Sequence, residues 1–342
     1  MYQIKTDALT KLYATIAAQK DLFLPVKTAG QTNFGLWTES AEADIQTLKT
    51  VKSAKDIFFP QSENLYRVRR EEGKFTVEPQ ALQEKPFVVF GIRGCDVKGI
   101  EVLDKVFLSD PVDSFYAARR ENGTLVSMAC GRPESSCFCK VFGIDCAEPA
   151  GDVVTWLVGD TLYWQPKTEK GEALTAAVSN LLQKAEDAVV EAEKAAIRAI
   201  VEKLPYANLS LSNWGADAAD RNFDSPIWEQ LYRPCLACGT CTFVCPTCQC
   251  YDIKDYDTGN GVQRYRCWDS CMYSDFTMMA HGNNRTSQMQ RFRQRFMHKL
   301  AYFPANNDGM FSCVGCGRCV DKCPSHLNIV KVIKAFEKEG QQ

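Results

Sequence analysis

The sequence lacks the features of several common protein classes. Its 342 residues carry 40 basic and 42 acidic side chains, so it has no excess of positive charge for binding a polyanion. No apolar run approaches the roughly 18 residues that a membrane span needs. Residues 1–20 contain scattered charges and no apolar core of the signal-peptide type. These absences predict a cytoplasmic protein with no membrane span and no nucleic-acid partner.

Motifs for nucleotide binding and for nucleophilic catalysis are also missing. No GxGxxG and no P-loop is present, and Gly91 with Gly94 is a poor match to either. The three histidines, His281, His298 and His326, form no Ser-His-Asp or Cys-His arrangement. Isolated histidines of this kind are more often neighbours of a ligand than ligands, so none is assigned to a metal site. The sequence therefore predicts no complete active site and no catalytic residue.

Cysteine, by contrast, is abundant. In a chain without an export signal, 17 cysteines are better explained as metal ligands than as disulfides. Five lie between Cys95 and Cys146 and twelve between Cys235 and Cys323, with none in the stretch from 147 to 234. The length also favours two domains. We predict an α/β domain over 1–204, a linker over 205–227 that is rich in Pro, Asn, Ser and Asp, and a second domain over 228–342.

Hydrophobic patterns predict the elements of the α/β domain. Residues 87–92 (FVVFGI) predict a buried strand, and a helical pattern follows from Gly94. Residues 124–130 predict the next buried strand, and residues 153–164 predict a β-hairpin. The Ala and Glu content after residue 171 predicts one long amphipathic helix over about 172–204.

Two repeated cysteine motifs give the strongest signal. The spacing C-x2-C-x2-C-x3-C-P occurs at 235–246 and again at 313–324. Three closely spaced thiolates can wrap one face of an iron–sulfur cubane, while the fourth usually ligates the other cluster of the pair. The spacing therefore predicts two [4Fe–4S] clusters. One has the ligands Cys235, Cys238, Cys241 and Cys323; the other has Cys313, Cys316, Cys319 and Cys245.

Structural zinc is the alternative, because four cysteine thiolates also hold zinc. Two full repeats, each with a trailing proline, favour the clusters. The motifs are separated by 67 residues (246–312), too many for a compact bacterial ferredoxin. Much of this insert has a helical pattern, so we predict a mainly α-helical ferredoxin-like domain.

The chain also resembles a known family. Besides the two motifs, PTCQCYD (246–252), CWDSC (267–271), GIRGCDVKGIEVLD (91–104) and YAARREN (116–122) are similar to a dicluster iron–sulfur family. That family includes the β subunit of cytoplasmic sulfhydrogenases and the corresponding subunit of anaerobic sulfite reductase. The resemblance implies an electron-transfer subunit. It would connect an FAD- and NAD(P)-binding flavoprotein subunit with a catalytic subunit that reduces protons, sulfur or sulfite. An iron–sulfur sensor or binding module is the alternative, although no effector domain is recognisable.

A third [4Fe–4S] cluster is predicted in the α/β domain, with the ligands Cys95, Cys130, Cys137 and Cys139. Cys95 and Cys130 each follow a predicted strand, and neighbouring parallel strands would bring them to one carboxyl edge of the sheet. The Cys137-Phe-Cys139 loop can close over that edge, leaving Cys146 spare. The alternative is that these cysteines are buried packing residues.

Two further groups have open interpretations. The surplus thiols Cys248, Cys250, Cys267 and Cys271 either adjust cluster potential from close by or hold another metal. No acidic residue occurs between Asp275 and Asp308, a stretch with five cations: Arg285, Arg291, Arg293, Arg295 and Lys299. These cations either raise the potential of a nearby cluster, dock an acidic partner, or form a solvated helix face.

Overall fold

The computed structural model describes residues 1–339. The strands are β1 (Tyr2–Lys5), β2 (Asp21–Thr28), β3 (Gln31–Leu36), β4 (Ser62–Glu71), β5 (Lys74–Pro79), β6 (Phe87–Ile92), β7 (Gly123–Met128), β8 (Val153–Val158), β9 (Thr161–Pro166), β10 (Gln183–Lys184), β11 (Tyr251–Asp257), β12 (Gly261–Trp268), β13 (Met278–Met279) and β14 (Gly282–Asn283). The helices are α1 (Leu9–Ala17), α2 (Lys55–Phe58), α3 (Gly94–Phe107), α4 (Ser114–Asn122), α5 (Glu169–Ala177), α6 (Ala188–Val201), α7 (Ala218–Phe223), α8 (Trp228–Leu231), α9 (Thr240–Phe243), α10 (Gln288–Met297), α11 (Phe303–Asn306), α12 (Arg318–Asp321) and α13 (Ile329–Glu339).

A mixed eight-stranded sheet organises the N-terminal half, in the order β10-β1-β9-β8-β7-β6-β2-β3. The central strands β2, β6, β7 and β8 are parallel, and β8 and β9 form the predicted hairpin. All residues of β6 and β7 are buried. Such burial is typical of central parallel strands with a layer on each face, because their sequences are nearly continuous apolar runs. The predicted α/β character of this half is confirmed.

The predicted long helix over 172–204 is wrong. Helix α5 ends at Ala177, and α6 begins only at Ala188. Between them, Gln183 and Lys184 pair with Gln3 and Tyr2 of β1 as an added edge strand. Helix propensity is a weak preference, and here the hydrogen bonds of sheet pairing override it.

The insert between the cysteine motifs is not mainly helical. Its first part forms the β11–β12 hairpin, which turns at Gly259 with a φ of +80°. Strand β12 pairs with β4, so a four-stranded sheet in the order β11-β12-β4-β5 joins the insert to residues 62–79. The C-terminal part therefore combines helices α9 to α13 with a hairpin. Sequence patterns missed the hairpin because its partner strand lies far away along the chain.

The segment 205–227, predicted as a linker, packs against the C-terminal helices. It contains α7, and Trp214 is buried in contact with the rings of Trp228 and Phe336. The backbone N–H of Gly215 donates a 2.9 Å hydrogen bond to the carbonyl of Leu300. Its apolar residues therefore extend the core around α10 and α13. None of the helices within residues 1–339 combines the length and apolar character needed to cross a membrane.

Candidate iron–sulfur centres

The first motif forms a cavity at the start of α9. Cys235, Cys238 and Cys241 line this cavity together with Cys323 of the second motif. Gly239 precedes α9 with a φ of +72°, a left-handed conformation that glycine adopts without strain. The four cysteines predicted for one cluster therefore lie around one space. Cys238 is the most exposed of the four.

The second motif gathers its three cysteines with Cys245. Burial raises the pKa of the Cys319 thiol, and the neighbouring thiols of Cys316, Cys245 and Cys313 raise it further. Cys245 follows α9 directly, so it leaves the first group and reaches the second. The structure thus places Cys245 and Cys323 in the crossed arrangement that the spacing predicts.

These groups differ from a single-ion site. A tetrahedral zinc site places four sulfurs about 2.3 Å from one centre. Within residues 1–339, no three His, Cys, Asp or Glu side chains are arranged to hold one metal ion. The cysteines of the first group instead surround a cavity that is also lined by Phe292 and Arg295.

Two buried cations lie against the cysteine groups. Nη2 of Arg295 donates a 2.7 Å hydrogen bond to the Cys241 carbonyl, while its Nε and Nη1 have no hydrogen-bond partner in the structure as described. Nζ of Lys299 donates to Thr247 Oγ1 at 2.7 Å and to the Ser312 carbonyl at 3.0 Å. Burial lowers the pKa of both cations, but nearby cysteine sulfurs outweigh it and raise the pKa of each. A thiolate-ligated cluster carries negative charge and would balance these cations and their unpaired donors.

This arrangement decides between the interpretations of the five cations. Arg295 and Lys299 are buried against the cysteines. Arg293 lies 3.6 Å from the centre of the Phe223 ring, and Arg291 donates to the Arg285 carbonyl. The five cations therefore form neither a single solvated face nor a single docking stripe. Two of them have the position expected of groups that raise a cluster potential.

A widened helical turn positions Lys299. Helix α10 continues as a π-helix over His298–Tyr302, a form that often marks functional sites. Pro304 has no N–H to donate to the Leu300 carbonyl, so that carbonyl accepts instead from Gly215. The packed segment before α7 therefore satisfies the helix at the point where it widens.

The N-terminal cysteines converge on a second cavity. Cys95, Cys130, Cys137 and Cys139 line it together with Cys146 and Cys316. Cys95 lies in the first turn of α3 after β6, and Cys130 follows β7, the parallel neighbour of β6. The positive N-terminal end of a 14-residue helix favours a thiolate at Cys95. Cys146, considered spare from sequence, hydrogen-bonds to Cys130 and Cys139.

This third group interlocks with the second motif. The N–H of Phe138 donates a 2.8 Å hydrogen bond to the Gly315 carbonyl. Gly315 has a φ of +59°, and a Cβ there would collide with the backbone of Phe138 and Cys139. The close approach explains why Cys316 also lines the third group's cavity.

The surplus cysteines divide into two sets. Cys248 hydrogen-bonds to Cys245, and Cys250 hydrogen-bonds to Cys271. Cys267 lies apart from them, on β12 and near Lys254 of the neighbouring strand. Sequence reasoning missed Lys55, whose buried Nζ donates a 2.9 Å hydrogen bond to the Cys248 carbonyl and lies 3.6 Å above the Trp268 ring. No sequence signal connects a single lysine with a motif 193 residues away.

Comparisons with known proteins agree with this arrangement. A family model described as a 4Fe-4S dicluster domain matches residues 234–327. The chain is 32% identical over 296 residues to sulfhydrogenase 2 subunit beta of Pyrococcus furiosus, a match that covers 85% of each chain. No solved structure gives a significant match.

The fold and the two crossed cysteine groups define an iron–sulfur protein of the dicluster type. The chain belongs to the family of the sulfhydrogenase beta subunits, which confirms the resemblance noted from its sequence.

Proposed function

We propose that the chain is the iron–sulfur electron-transfer subunit of a cytoplasmic multisubunit oxidoreductase. It relays electrons between a catalytic subunit of the hydrogenase, sulfur-reducing or sulfite-reducing type and an FAD- and NAD(P)-binding flavoprotein subunit. The observation that carries the proposal is the pair of cysteine groups joined by Cys245, with Arg295 and Lys299 buried beside them. The name of the Pyrococcus furiosus relative supports an assembly with other subunits.

In this function, Cys235, Cys238, Cys241 and Cys323 hold one [4Fe–4S] cluster, and Cys313, Cys316, Cys319 and Cys245 hold the other. Each cluster, when bound, supplies one-electron chemistry. The protein contributes thiolate ligands, the two buried cations and an apolar surround that includes Phe292 and Phe296. Exclusion of water strengthens the electrostatic effect of the cations on the cluster charge.

A third [4Fe–4S] cluster with the ligands Cys95, Cys130, Cys137 and Cys139 extends the relay into the α/β domain. Cys316 lines the third group's cavity, and Cys245 connects the second group with the first motif. The three groups therefore lie in the order third, second, first. At the far end, Leu236 and Cys238 are exposed, which gives a partner protein access to the first group.

Anaerobic EPR of the dithionite-reduced chain tests the cluster assignment. We expect overlapping signals of interacting reduced [4Fe–4S] clusters, and iron without zinc on metal analysis. Absence of a cluster signal, or zinc in place of iron, would contradict the proposal.

Reconstitution tests the relay. We expect the isolated chain to leave NADH unoxidised, and to transfer electrons from NADH to an acceptor dye only when the co-purified flavoprotein is added. NADH oxidation by the isolated chain would overturn the relay role, as would a native protein that migrates alone without flavin.

A further inference from the structure

Two thiols that hold no assigned cluster are in contact at the base of the β11–β12 hairpin. Cys250 directly precedes β11, and Cys271 follows β12 by three residues. The two thiols hydrogen-bond to each other, and the N–H of Cys271 also donates to the Cys250 sulfur. The N–H of Asp269 donates a 2.9 Å hydrogen bond to the Cys250 carbonyl, which fixes the two segments side by side. The hairpin thus holds the two sulfurs together.

Buried positive charge surrounds this pair. Lys55 and Lys299 are 3% exposed, and both act electrostatically on Cys250. Neither lysine forms an ion pair with a carboxylate in the part of the chain that the structure describes; Lys55 donates to the Cys248 carbonyl and Lys299 to Thr247 and Ser312. Buried charges are normally paired, so these lysines favour negative charge on the sulfurs between them.

The pair also adjoins the second cysteine group. Cys248 hydrogen-bonds to Cys245, and Cys248 interacts electrostatically with Cys271. A short chain of sulfurs therefore connects Cys271 and Cys250, through Cys248, with a proposed ligand of the second cluster. Packing alone would not require three additional thiols at this place.

We propose that Cys250 and Cys271 form a reversible dithiol–disulfide couple that exchanges electrons with the second [4Fe–4S] cluster. This inference rests on the proposed function. On oxidation, the two S–H bonds break and one S–S bond forms. Two protons leave, and two electrons pass one at a time to oxidised clusters, each of which is reduced by one electron. On reduction, two electrons from reduced clusters and two protons regenerate the two thiols.

The local chemistry suits the reaction. Thiol–disulfide chemistry proceeds through a thiolate. The hydrogen bond from Cys271 is the largest influence on Cys250 and lowers its pKa to about 7, although burial acts in the opposite direction. Cys250 is thus the thiolate partner, and Cys271 is the proton-bearing one. The couple gives a chain of one-electron carriers a place to store an electron pair, as exchange with a two-electron donor requires.

Cysteine mapping on the unaltered chain is the direct test. The anaerobic protein is poised at stepped potentials, quenched with acid, alkylated and digested for mass spectrometry. We expect a Cys250–Cys271 disulfide peptide at high potential and two alkylated thiols at low potential, reversibly over repeated cycles. Free thiols at every potential would overturn the proposal, and so would a disulfide that dithionite does not reduce through the clusters.

Electron counting with variants gives a second test. Coulometric titration of Cys250→Ser and of Cys271→Ser should show two fewer electrons per chain than the unaltered protein, with unchanged iron content. Cys267→Ser is the matched control on the same hairpin, because Cys267 lies outside the pair, and its electron count should not change. An unchanged count in the first two variants contradicts the couple, and loss of about four irons assigns them as cluster ligands instead. Failure of the proposed function is distinct, since the unaltered protein would then show no clusters at all.

Discussion

Arg318 and Asp96 form a buried ion pair that joins the two halves of the chain. Arg318 Nη1 lies 2.6 Å from Asp96 Oδ1, and Nη2 lies 2.8 Å from Oδ2, a two-pronged geometry. The side chains are only 3% and 2% exposed. Asp96 follows Cys95 of the third group, and Arg318 lies between Cys316 and Cys319 of the second. The pair therefore fixes these two groups relative to each other.

Removing the charge of Asp96 should strongly destabilise the protein. Asp96→Asn leaves the Arg318 guanidinium buried without a counter-charge, which costs about 3–5 kcal/mol in comparable pairs. We expect a loss of this size in the free energy of unfolding, measured by anaerobic guanidinium denaturation of the cluster-loaded protein.

The exposed pair Arg198–Asp145 is the matched control. Its side chains are 49% and 42% exposed, although the Arg198 Nη2 to Asp145 Oδ2 distance is a similar 2.7 Å. Asp145→Asn should cost about 1 kcal/mol or less, because solvent screens an exposed pair. Equal losses in the two variants would show that the buried pair has no special role.

Lys299 should set the potential of the second cluster. Lys299→Met keeps most of the side-chain volume but removes a buried positive charge near Cys245 and Cys313. Since a cation favours the reduced, more negative cluster, its loss should lower the reduction potential by an amount on the order of tens of millivolts. An EPR-monitored redox titration measures this shift.

Lys322→Met is the control for that variant. Lys322 directly precedes Cys323 in sequence, but its side chain is exposed, so water screens its charge. We expect its potentials to match those of the unaltered protein. A shift of the same size in both variants would mean that overall charge, rather than burial beside the cluster, controls the potential.

The sequence was sufficient to predict the sites that depend on local spacing. The two motifs place six ligands on short loops, and the strand-then-cysteine pattern at Cys95 and Cys130 predicted their common edge. Both signals are contained in a few neighbouring residues. Physical rules for loops and parallel strands convert them directly into positions.

Features that depend on distant partners could not be predicted in this way. Asp96 and Arg318 are 222 residues apart, and Lys55 reaches its cysteine neighbour from another domain-sized segment. The break in the predicted helix at 172–204 is caused by pairing with β1, and β12 finds its partner in β4. In each case the stabilising contact comes from a segment that local patterns do not identify.

Gly315 should be required for contact between the second and third groups. In Gly315→Ala, the added Cβ collides with the backbone of Phe138 and Cys139, which cannot yield as a flexible side chain can. We expect a loss of thermal stability and of cluster iron. Gly309→Ala is the matched control, because Gly309 also has positive φ, at +78°, but has no atom within 4 Å of the new Cβ. Its cost should be limited to backbone strain, about 1–2 kcal/mol, with full iron content. Similar behaviour of the two variants would contradict a specific close approach.

Cysteine substitutions in the α/β domain should reveal a third cluster as a separate increment of iron. The anaerobically prepared chain is expected to contain about twelve irons, and Cys95→Ser should lose about four of them while the other two clusters keep theirs. Cys146→Ser tests the fifth cysteine of the cavity: as a hydrogen-bonding neighbour of Cys130 and Cys139 rather than a ligand, it should keep its iron. Iron analysis combined with EPR spin quantitation measures both effects. If Cys95→Ser retains every iron, the N-terminal cysteines are packing residues, and the relay ends at the second cluster. If Cys146→Ser loses about four irons instead, the third cluster exists with a different fourth ligand.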